Sequence, residues 1–533
     1  MESAPSGAPV VPVEPPRRRS PVQRFARGLA FLLFSAPQGR APRTAALATL
    51  AICLALFAAD RPAFFPRVDF PLDNHASISL SQALGAQYCG KRMLAPRNSI
   101  PAALHGMPAL SSRSFPDILA WRAGSIDAYC ASADLPFLNN ENTLMLMMRE
   151  AFRLNPNLTP AGLGTWLGAI RFVMIAIVVY ALLSIGAGVP LVAALAFAAA
   201  DVLGSLRIYH YSMYTFFVPM LLMVPALLAL AYRHLAEKSF YWWAGSFLAA
   251  GFVTAFCANM RSSHLPVYIA MFALFAVALA LRRPRFWMTA AASVVGFVFG
   301  YALFIRIFIT PLVPSGPVPF ENYSHHVIAH PLVLGLAIPE SELSKREGIT
   351  WNDLKGLELA RRMVPDANYL GRGYEEGLFL YYLKLWTLYP GEMRQIYSRK
   401  LALAGVGMYA TPGFETDRQP LARLLTKFGR IQSGTTMLAL YVVLLLASCV
   451  YLWRRRRPFA LFVSLVCLAA ICLLFEGAII MPLFYLQYHG YLLVSMAFLF
   501  ALAAQTMLDG IAKYAGSYVR TRRVAGTAAA WPR

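Results

Sequence analysis

Charged side chains are scarce in this sequence, and acidic side chains are rarer than basic ones. Only 14% of the 533 residues are charged, whereas 58% are hydrophobic. A soluble domain carries roughly 25% charged residues. The composition therefore excludes a soluble domain and predicts a chain that crosses a membrane many times.

The basic excess does not indicate nucleic-acid binding. Lys and Arg outnumber Asp and Glu by 48 to 26, but the cations cluster beside apolar runs instead of covering one soluble domain. Basic residues at the ends of membrane spans set their orientation, because they stay on the cytoplasmic side. We therefore expect membrane lipid as a partner and no nucleic acid.

Cysteine is also rare, and it lacks a metal-binding pattern. The seven cysteines show no CxxC spacing and no Cys/His zinc pattern. Five of them lie in apolar runs, where a thiol behaves as a small hydrophobe. The other two, Cys89 and Cys130, share one hydrophilic segment, and we predict a disulfide between them.

Long apolar runs determine the fold class. A helix needs about 20 apolar residues to cross the bilayer, and roughly ten runs approach that length. The sequence therefore predicts an all-α polytopic membrane protein with about ten transmembrane helices. The runs lie near 42–59, 164–187, 189–205, 212–232, 240–258, 265–281, 286–311, 434–453, 458–475 and 490–508.

Basic clusters between the runs predict the orientation. Residues 1–41 are rich in Pro, Ser and Arg without an apolar period, and we expect a disordered basic cytoplasmic tail there. Alternation of the spans then places four further basic clusters on the cytoplasmic side. The chain divides into an N-terminal transmembrane module 42–311 with a first extracytoplasmic loop 60–163, a second extracytoplasmic loop 312–433 with amphipathic surface helices, C-terminal transmembrane helices 434–510 and a cytoplasmic tail 511–533.

Two aspartates just past the first run are the catalytic candidates. Asp69 and Asp73 precede a predicted helix over 76–87, and either carboxylate can act as a general base. Asp73 with Asn74 fits an N-cap of that helix equally well, so both interpretations stay open. Glu141 precedes a Met-rich predicted helix and is either a second acid of the site or a residue of the first helical turn.

Histidines gather on the predicted outer side. Eight of the nine lie in outer loops or at outer ends of spans, although histidine is also tolerated near water without a function. Together with neighbouring Arg and Tyr they can bind a phosphate or sugar hydroxyls. The candidates for substrate or phosphate binding are His75, Glu141, Arg207, His210, Arg261, His264, His325, His330, Tyr488 and His489.

A metal is the second interpretation of the histidines at 325, 326 and 330. They lie within about one and a half helical turns, but no carboxylate stands at matching spacing. We therefore expect substrate contact there and predict no metal ligand set. No cofactor is certain from the sequence, and a divalent metal stays open.

These features resemble the GT-C superfamily of polytopic glycosyltransferases, which includes protein O-mannosyltransferases, oligosaccharyltransferases and lipid A aminoarabinose transferases. The shared features are an acidic motif outside the first span, the helix after it, a surface helix before the second span and an aromatic-polar segment, Phe484 to His489, before the last span. The resemblance covers residues 42–510. It implies that Asp73, and next Asp69, is catalytic and that the donor is a polyprenyl-phosphate sugar.

The resulting hypothesis is a GT-C-type integral-membrane glycosyltransferase of a bacterial inner membrane. It would transfer a sugar to a glycan, lipid or protein acceptor on the extracytoplasmic side. A transporter or lipid flippase is the first alternative, and it would need ionisable residues near the bilayer midplane. Asp201, Arg171 and Arg306 are the few such residues. A non-catalytic membrane assembly protein is the second alternative.

Overall fold

The computed structural model describes most of the chain between residues 41 and 505. The described residues are 41–65, 74–90, 94–96, 112–131, 134–136, 142–205, 214–235, 240–261, 264–281, 286–312, 328–368, 373–403, 434–455, 457–479, 491–492 and 494–505.

The chain forms one long apolar helix, α1 (Pro42–Phe64), and then a small group of short elements that we call the first layer. β1 and β2 of this layer pair antiparallel, with Leu94 opposite Pro136. The predicted disulfide between Cys89 and Cys130 is present, and it joins the ends of α2 and α4 with their Cα atoms 5.3 Å apart. The first layer comprises α2 (Asn74–Tyr88), β1 (Leu94–Pro96), α3 (Phe115–Ala123), α4 (Ile126–Ala131), β2 (Asp134–Pro136) and α5 (Asn142–Leu154).

Six apolar helices follow the first layer. The first of them begins at Pro160, four residues before the predicted run, because Pro160 occupies the first turn and the Thr159 hydroxyl accepts a hydrogen bond from the amide of Gly162. A π-helical turn, Ile305–Ile309, continues the last of them. The six are α6 (Pro160–Ser184), α7 (Val189–Ser205), α8 (Tyr214–Leu235), α9 (Phe240–Ala258), α10 (Leu265–Ala280) and α11 (Phe286–Phe304).

A second layer and three apolar helices complete the described chain. The second layer has its own core, in which Leu359, Tyr374, Leu378 and Met393 are buried. It consists of α12 (Ala329–Leu334), α13 (Glu342–Glu347), α14 (Asp353–Arg361), α15 (Tyr374–Leu388) and α16 (Pro390–Leu403). The apolar helices are α17 (Gly434–Arg455), α18 (Pro458–Ile479) and α19 (Val494–Gln505).

A helix forms at each of the ten predicted apolar runs. Six of these helices, namely α1, α6, α8, α11, α17 and α18, are long and apolar enough to cross a membrane. The other four, α7, α9, α10 and α19, are apolar but shorter. The described chain is thus a multi-pass α-helical membrane protein.

Small residues let the apolar helices approach closely, as is usual in membranes. A Cβ atom added to Gly300 of α11 would lie 2.0 Å from the carbonyl oxygen of Leu248 on α9. A Cβ atom added to Gly168 of α6 would lie 1.8 Å from the carbonyl oxygen of Phe64 at the end of α1. Any larger residue at these positions would push the helices apart.

One end of the helix bundle, which we call the rim end, carries both layers. Arg171 of α6 contacts the end of α1 and the start of α8 there. Thr143 at the start of α5 bonds to the end of α9. The first layer therefore covers the rim end.

The opposite end of the bundle, which we call the far end, contains a cavity. Tyr232 near the end of α8, Leu281 after α10 and Trp453 near the end of α17 line it together. Since α18 begins two residues after α17, it runs from the far end back to the rim end. Lys400 of the second layer bonds to Ile479 at the end of α18, so both layers lie at the same end of the bundle.

Candidate functional site

The structure describes only part of the predicted site. Among the predicted residues, Arg261, His264, His330, Cys89 and Cys130 are described, and His75 is placed in the first turn of α2 without a described side chain. The others lie outside the described residues, namely Asp69, Asp73, Glu141, Arg207, His210, His325, Tyr488 and His489.

The start of α5, directly after Glu141, is fixed on the end of α9. The amide of Thr143 donates to the carbonyl oxygen of Asn259 over 3.0 Å. The Thr143 hydroxyl donates to the carbonyl oxygen of Phe256 over 2.7 Å. These two bonds hold the start of the amphipathic helix against the rim end of the bundle.

The helix α2, which follows Asp73, packs against α5. The two helices meet near their C-terminal ends, where the rings of Tyr88 and Phe152 have centroids 6.2 Å apart. The Tyr88 hydroxyl also donates to the carbonyl oxygen of Pro156 over 2.5 Å. Since α5 lies on the rim end, α2 lies there as well.

A buried arginine links three helices below this surface. Arg171 is fully buried in α6, and its guanidinium donates to the Thr215 hydroxyl over 2.7 Å and to the carbonyl oxygen of Phe64 over 3.4 Å. Its Cζ atom also lies 5.3 Å from the centroid of the Phe216 ring. A cation on the middle of α6 is therefore held near the end of α1 and the start of α8.

His264 lies beside this group and is fully buried. Its ring centroid is 4.3 Å from that of Phe217 on α8, and its amide donates to the carbonyl oxygen of Arg261 over 3.2 Å. Burial lowers the pKa of His264 well below its ordinary value, and the positive charge of Arg261 lowers it further. The imidazole is therefore neutral at pH 7.

We name Asn142, Thr143, Arg171, Thr215, Arg261 and His264 the rim cluster. Arg171 contacts Thr215, and two residues further along α8 Phe217 contacts His264. The His264 amide bonds to Arg261, Thr143 bonds to the neighbouring Asn259, and Asn142 directly precedes Thr143. Guanidinium groups and hydroxyls at such a place can bind an anionic phosphate. The neutral imidazole can donate or accept one proton in a hydrogen bond.

His330 lies in the second layer, in a different core from His264. It is 5% exposed, and its Nδ1 lies 2.8 Å from the hydroxyl oxygen of Tyr374. The helix α12 begins at Ala329, two residues before Pro331. The carboxylate of Glu375 accepts hydrogen bonds from the amides of Ile328, Ala329 and His330 and so caps this helix.

Sequence analysis missed Lys400, which joins the second layer to the bundle. The side chain is fully buried, and its amine donates to the carbonyl oxygens of Gly335 and Ile479 over 2.9 and 2.8 Å. Burial lowers the pKa of Lys400 to about 7. Because the contacts cross 65 and 79 residues of sequence, no local pattern indicates them.

No group of three metal-ligating side chains comes together among the described residues. No protein-family model matches the chain, and neither a curated protein nor a solved structure is significantly similar to it.

Proposed function

We propose that this protein is an integral-membrane glycosyltransferase of the GT-C type with ten membrane spans. It transfers a sugar from a polyprenyl-phosphate donor to an acceptor at the rim end, which is the extracytoplasmic face of a bacterial inner membrane. The observation that carries the proposal is the packing of α2 on α5 at the rim end. Asp73 and Glu141 directly precede these two helices in the sequence, and the rim cluster lies at the same end of the bundle.

The chemistry requires an acid-base group and an anion site close to each other. Asp73, with Asp69 as the second choice, takes the proton from the acceptor hydroxyl. The hydroxyl oxygen then bonds to the anomeric carbon, and the bond from that carbon to the phosphate oxygen breaks. The electron pair leaves on the phosphate, whose charge Arg171 and Arg261 stabilise.

The position of these cations suits a lipid-linked donor. Arg171 is buried within an apolar helix close to the start of α8, and we assign the phosphate of the lipid carrier to this level of the bundle. The side chains of His75, Arg207, His210, His325, Tyr488 and His489 belong to segments that adjoin the rim end in sequence, and we assign them to contacts with the phosphate or the sugar. His330, inside the second layer, is assigned to orienting that layer through Tyr374.

The experiment measures the release of polyprenyl phosphate, which is the product that all the tested donors share. The purified chain in proteoliposomes is supplied with ³²P-labelled polyprenyl-phosphate pentoses and hexoses together with a membrane extract as acceptor source. We expect wild type to release labelled polyprenyl phosphate and Asp73→Asn to release it at least about a hundredfold more slowly.

Asp127→Asn is the matched control, because Asp127 is an exposed carboxylate of the same hydrophilic segment. It should release the product at the wild-type rate. Equal release by wild type and Asp73→Asn would remove Asp73 as the base. Transport of the labelled donor across the vesicle membrane without release would instead support a flippase.

A further inference from the structure

A second cavity lies at the far end of the bundle, away from the rim cluster. Its volume is about 430 Å³. The turn between α6 and α7, the second half of α17, the first turn of α18 and the end of α19 enclose it. Because these are the ends that lie opposite both layers, the cavity belongs to the other face of the membrane.

The walls of this cavity are mainly apolar. Leu191, Leu444, Val463 and Leu502 line it from four different helices. The stretch of α17 that lines the cavity also carries an outward face, on which Val443 and other large apolar side chains are more than half exposed. An outward apolar face of this kind on a membrane-length helix contacts lipid chains, so lipid chains lie next to this wall of the cavity.

The polar end of the cavity is basic. Arg457 lines it and directly precedes the first turn of α18, where the partial positive charge of the helix dipole adds to that of the guanidinium. Arg454, Arg455 and Arg456 precede it in the sequence. Among the described residues, Arg457 takes part in no ion pair. The cation is thus available to an anion from outside the chain.

A hydrogen-bond acceptor lies in the same cavity. Gln505 at the end of α19 lines it, and its Oε1 atom is buried without a hydrogen-bond partner among the described residues. A buried acceptor of this kind normally has a donor. The hydroxyls of a glycerol head group are donors of suitable size.

We propose that this cavity binds one anionic phospholipid of the adjacent leaflet, with a glycerol head group such as that of phosphatidylglycerol. The phosphate lies against Arg457 and the start of α18. One acyl chain lies among Leu191, Leu444 and Leu502, and a head-group hydroxyl donates to Gln505. Basic pockets between transmembrane helices on the cytoplasmic side are the usual place for such binding.

The test is native mass spectrometry of the detergent-purified full chain in an equimolar mixture of phosphatidylglycerol and phosphatidylcholine with the same acyl chains. We expect one phosphatidylglycerol to remain bound to wild type in preference to phosphatidylcholine. Arg457→Gln should lower this preference by about fivefold, as loss of one basic contact to an anionic lipid does. Ala447→Trp should abolish retention of either lipid, because Ala447 lines the cavity and an indole there would fill it.

Each variant has a control variant that carries the same substitution at a position outside the cavity. Arg43→Gln removes an exposed charge at the start of α1, on the same face, and should keep the full preference. Ala439→Trp adds the same bulk to an exposed position of α17 nearer the rim end and should retain the lipid. Thermal unfolding of each variant identifies any loss of fold.

Four outcomes would overturn the proposal. Three of them are equal retention of the two lipids by wild type, an unchanged preference in folded Arg457→Gln, and an equal loss of preference in Arg43→Gln. An equal loss in Arg43→Gln would mean that charge on this face, and not the cavity, selects the lipid. Displacement of phosphatidylglycerol by the same concentration of inorganic phosphate would likewise assign the site to a free anion.

Discussion

The amine of Lys400 donates a hydrogen bond to the carbonyl oxygen of Ile479 over 2.8 Å, so a buried lysine connects the second layer to the end of α18. A second bond, to the carbonyl oxygen of Gly335, lies within the second layer. A neutral amine has two N–H groups, which is enough for both acceptors. The Tyr397 ring, 5.4 Å from Nζ, covers the group.

We predict that this lysine makes the second layer more stable at alkaline pH. Burial lowers its pKa to about 7 in the folded state, whereas in the unfolded chain it titrates near its ordinary value. Between these two values the unfolded chain binds more protons, so the free energy of unfolding rises with pH, by at most about 1.4 kcal/mol per pH unit. Thermal unfolding from pH 7 to 9.5 measures the slope.

Lys400→Met should remove this dependence of the free energy of unfolding on pH. It should lower that free energy more at pH 9 than at pH 6.5, because wild type at the lower pH must bury a charge. Lys384→Met is the control, since Lys384 is exposed on α15 of the same layer. The same slope in Lys400→Met and wild type would contradict the prediction.

A methyl group at Gly168 should separate α1 from α6. The added Cβ atom would meet the carbonyl oxygen of Phe64 at 1.8 Å, and main chain cannot move aside as a side chain can. We expect Gly168→Ala to lower the free energy of unfolding by about 1–3 kcal/mol, as overpacking does, and to weaken the bond from Arg171 to Phe64. Denaturant unfolding in micelles measures the change.

Gly245→Ala provides the comparison, because Gly245 lies inside the apolar helix α9 with nothing within 4 Å of an added Cβ atom. Alanine is the better helix former by about 1 kcal/mol, so this variant should be as stable as wild type or more so. A similar loss in both variants would show that the approach of α6 to Phe64 is not the cause.

The disulfide between Cys89 and Cys130 should contribute substantially to the stability of the first layer. It closes a loop with a sequence separation of 41 residues, and the chain-entropy model gives about 4 kcal/mol for such a loop. Denaturant unfolding of Cys130→Ala should show the loss of most of this stabilisation. Cys449→Ala, which removes a free thiol of α17, should be close to wild type.

Thiol counting gives an independent measurement of the same bond. Five cysteines are free in the structure, so alkylation in denaturant should add five groups, and seven after reduction. Seven groups before reduction would show that the bond is not formed.

His264 should make the rim end less stable in acid. Burial and Arg261 lower its pKa well below the ordinary value, so the folded chain binds fewer protons than the unfolded chain as pH falls through about 6.5. The contribution of His264 to the free energy of unfolding is therefore present at pH 7, and it becomes unfavourable below about pH 6. The difference in Tm between pH 7 and pH 5 measures it.

His264→Gln should show a smaller fall in Tm over this pH range than wild type. His234→Gln, at an exposed histidine near the far end, should show the same fall as wild type. If the two variants behave alike, another group is responsible for the acid sensitivity.

Hydrophobic length and helix signals predicted most of the fold. The ten apolar runs and the helix over 76–87 correspond to helices within a few residues, because a membrane span must satisfy its own backbone hydrogen bonds. The strands β1 and β2 were not predicted, since three residues each are too short for a pattern. The packing of α2 on α5 depends on Tyr88 and Phe152, which lie far apart in the sequence.

For the candidate site, the sequence predicted the types of residue but not the contacts between them. Arg171 stood out as a lone cation in an apolar run, but its partner Thr215 lies 44 residues away on another helix. Arg261 and His264 were named from their place at an outer span end, and the structure adds the ring of Phe217 that buries the imidazole. The roles of Asp69 and Asp73 stay predictions, because both lie outside the described residues.

The attachment of α5 limits how this face can open. Two bonds from Thr143 hold one end of the helix, and the indole of Trp166 on α6 donates to the carbonyl oxygen of Met147 one turn further on. Because these bonds fasten the helix to two different neighbours, it cannot rotate away from the bundle about one end without breaking an attachment. A disulfide cross-link between α5 and α9 should therefore leave the fold undisturbed.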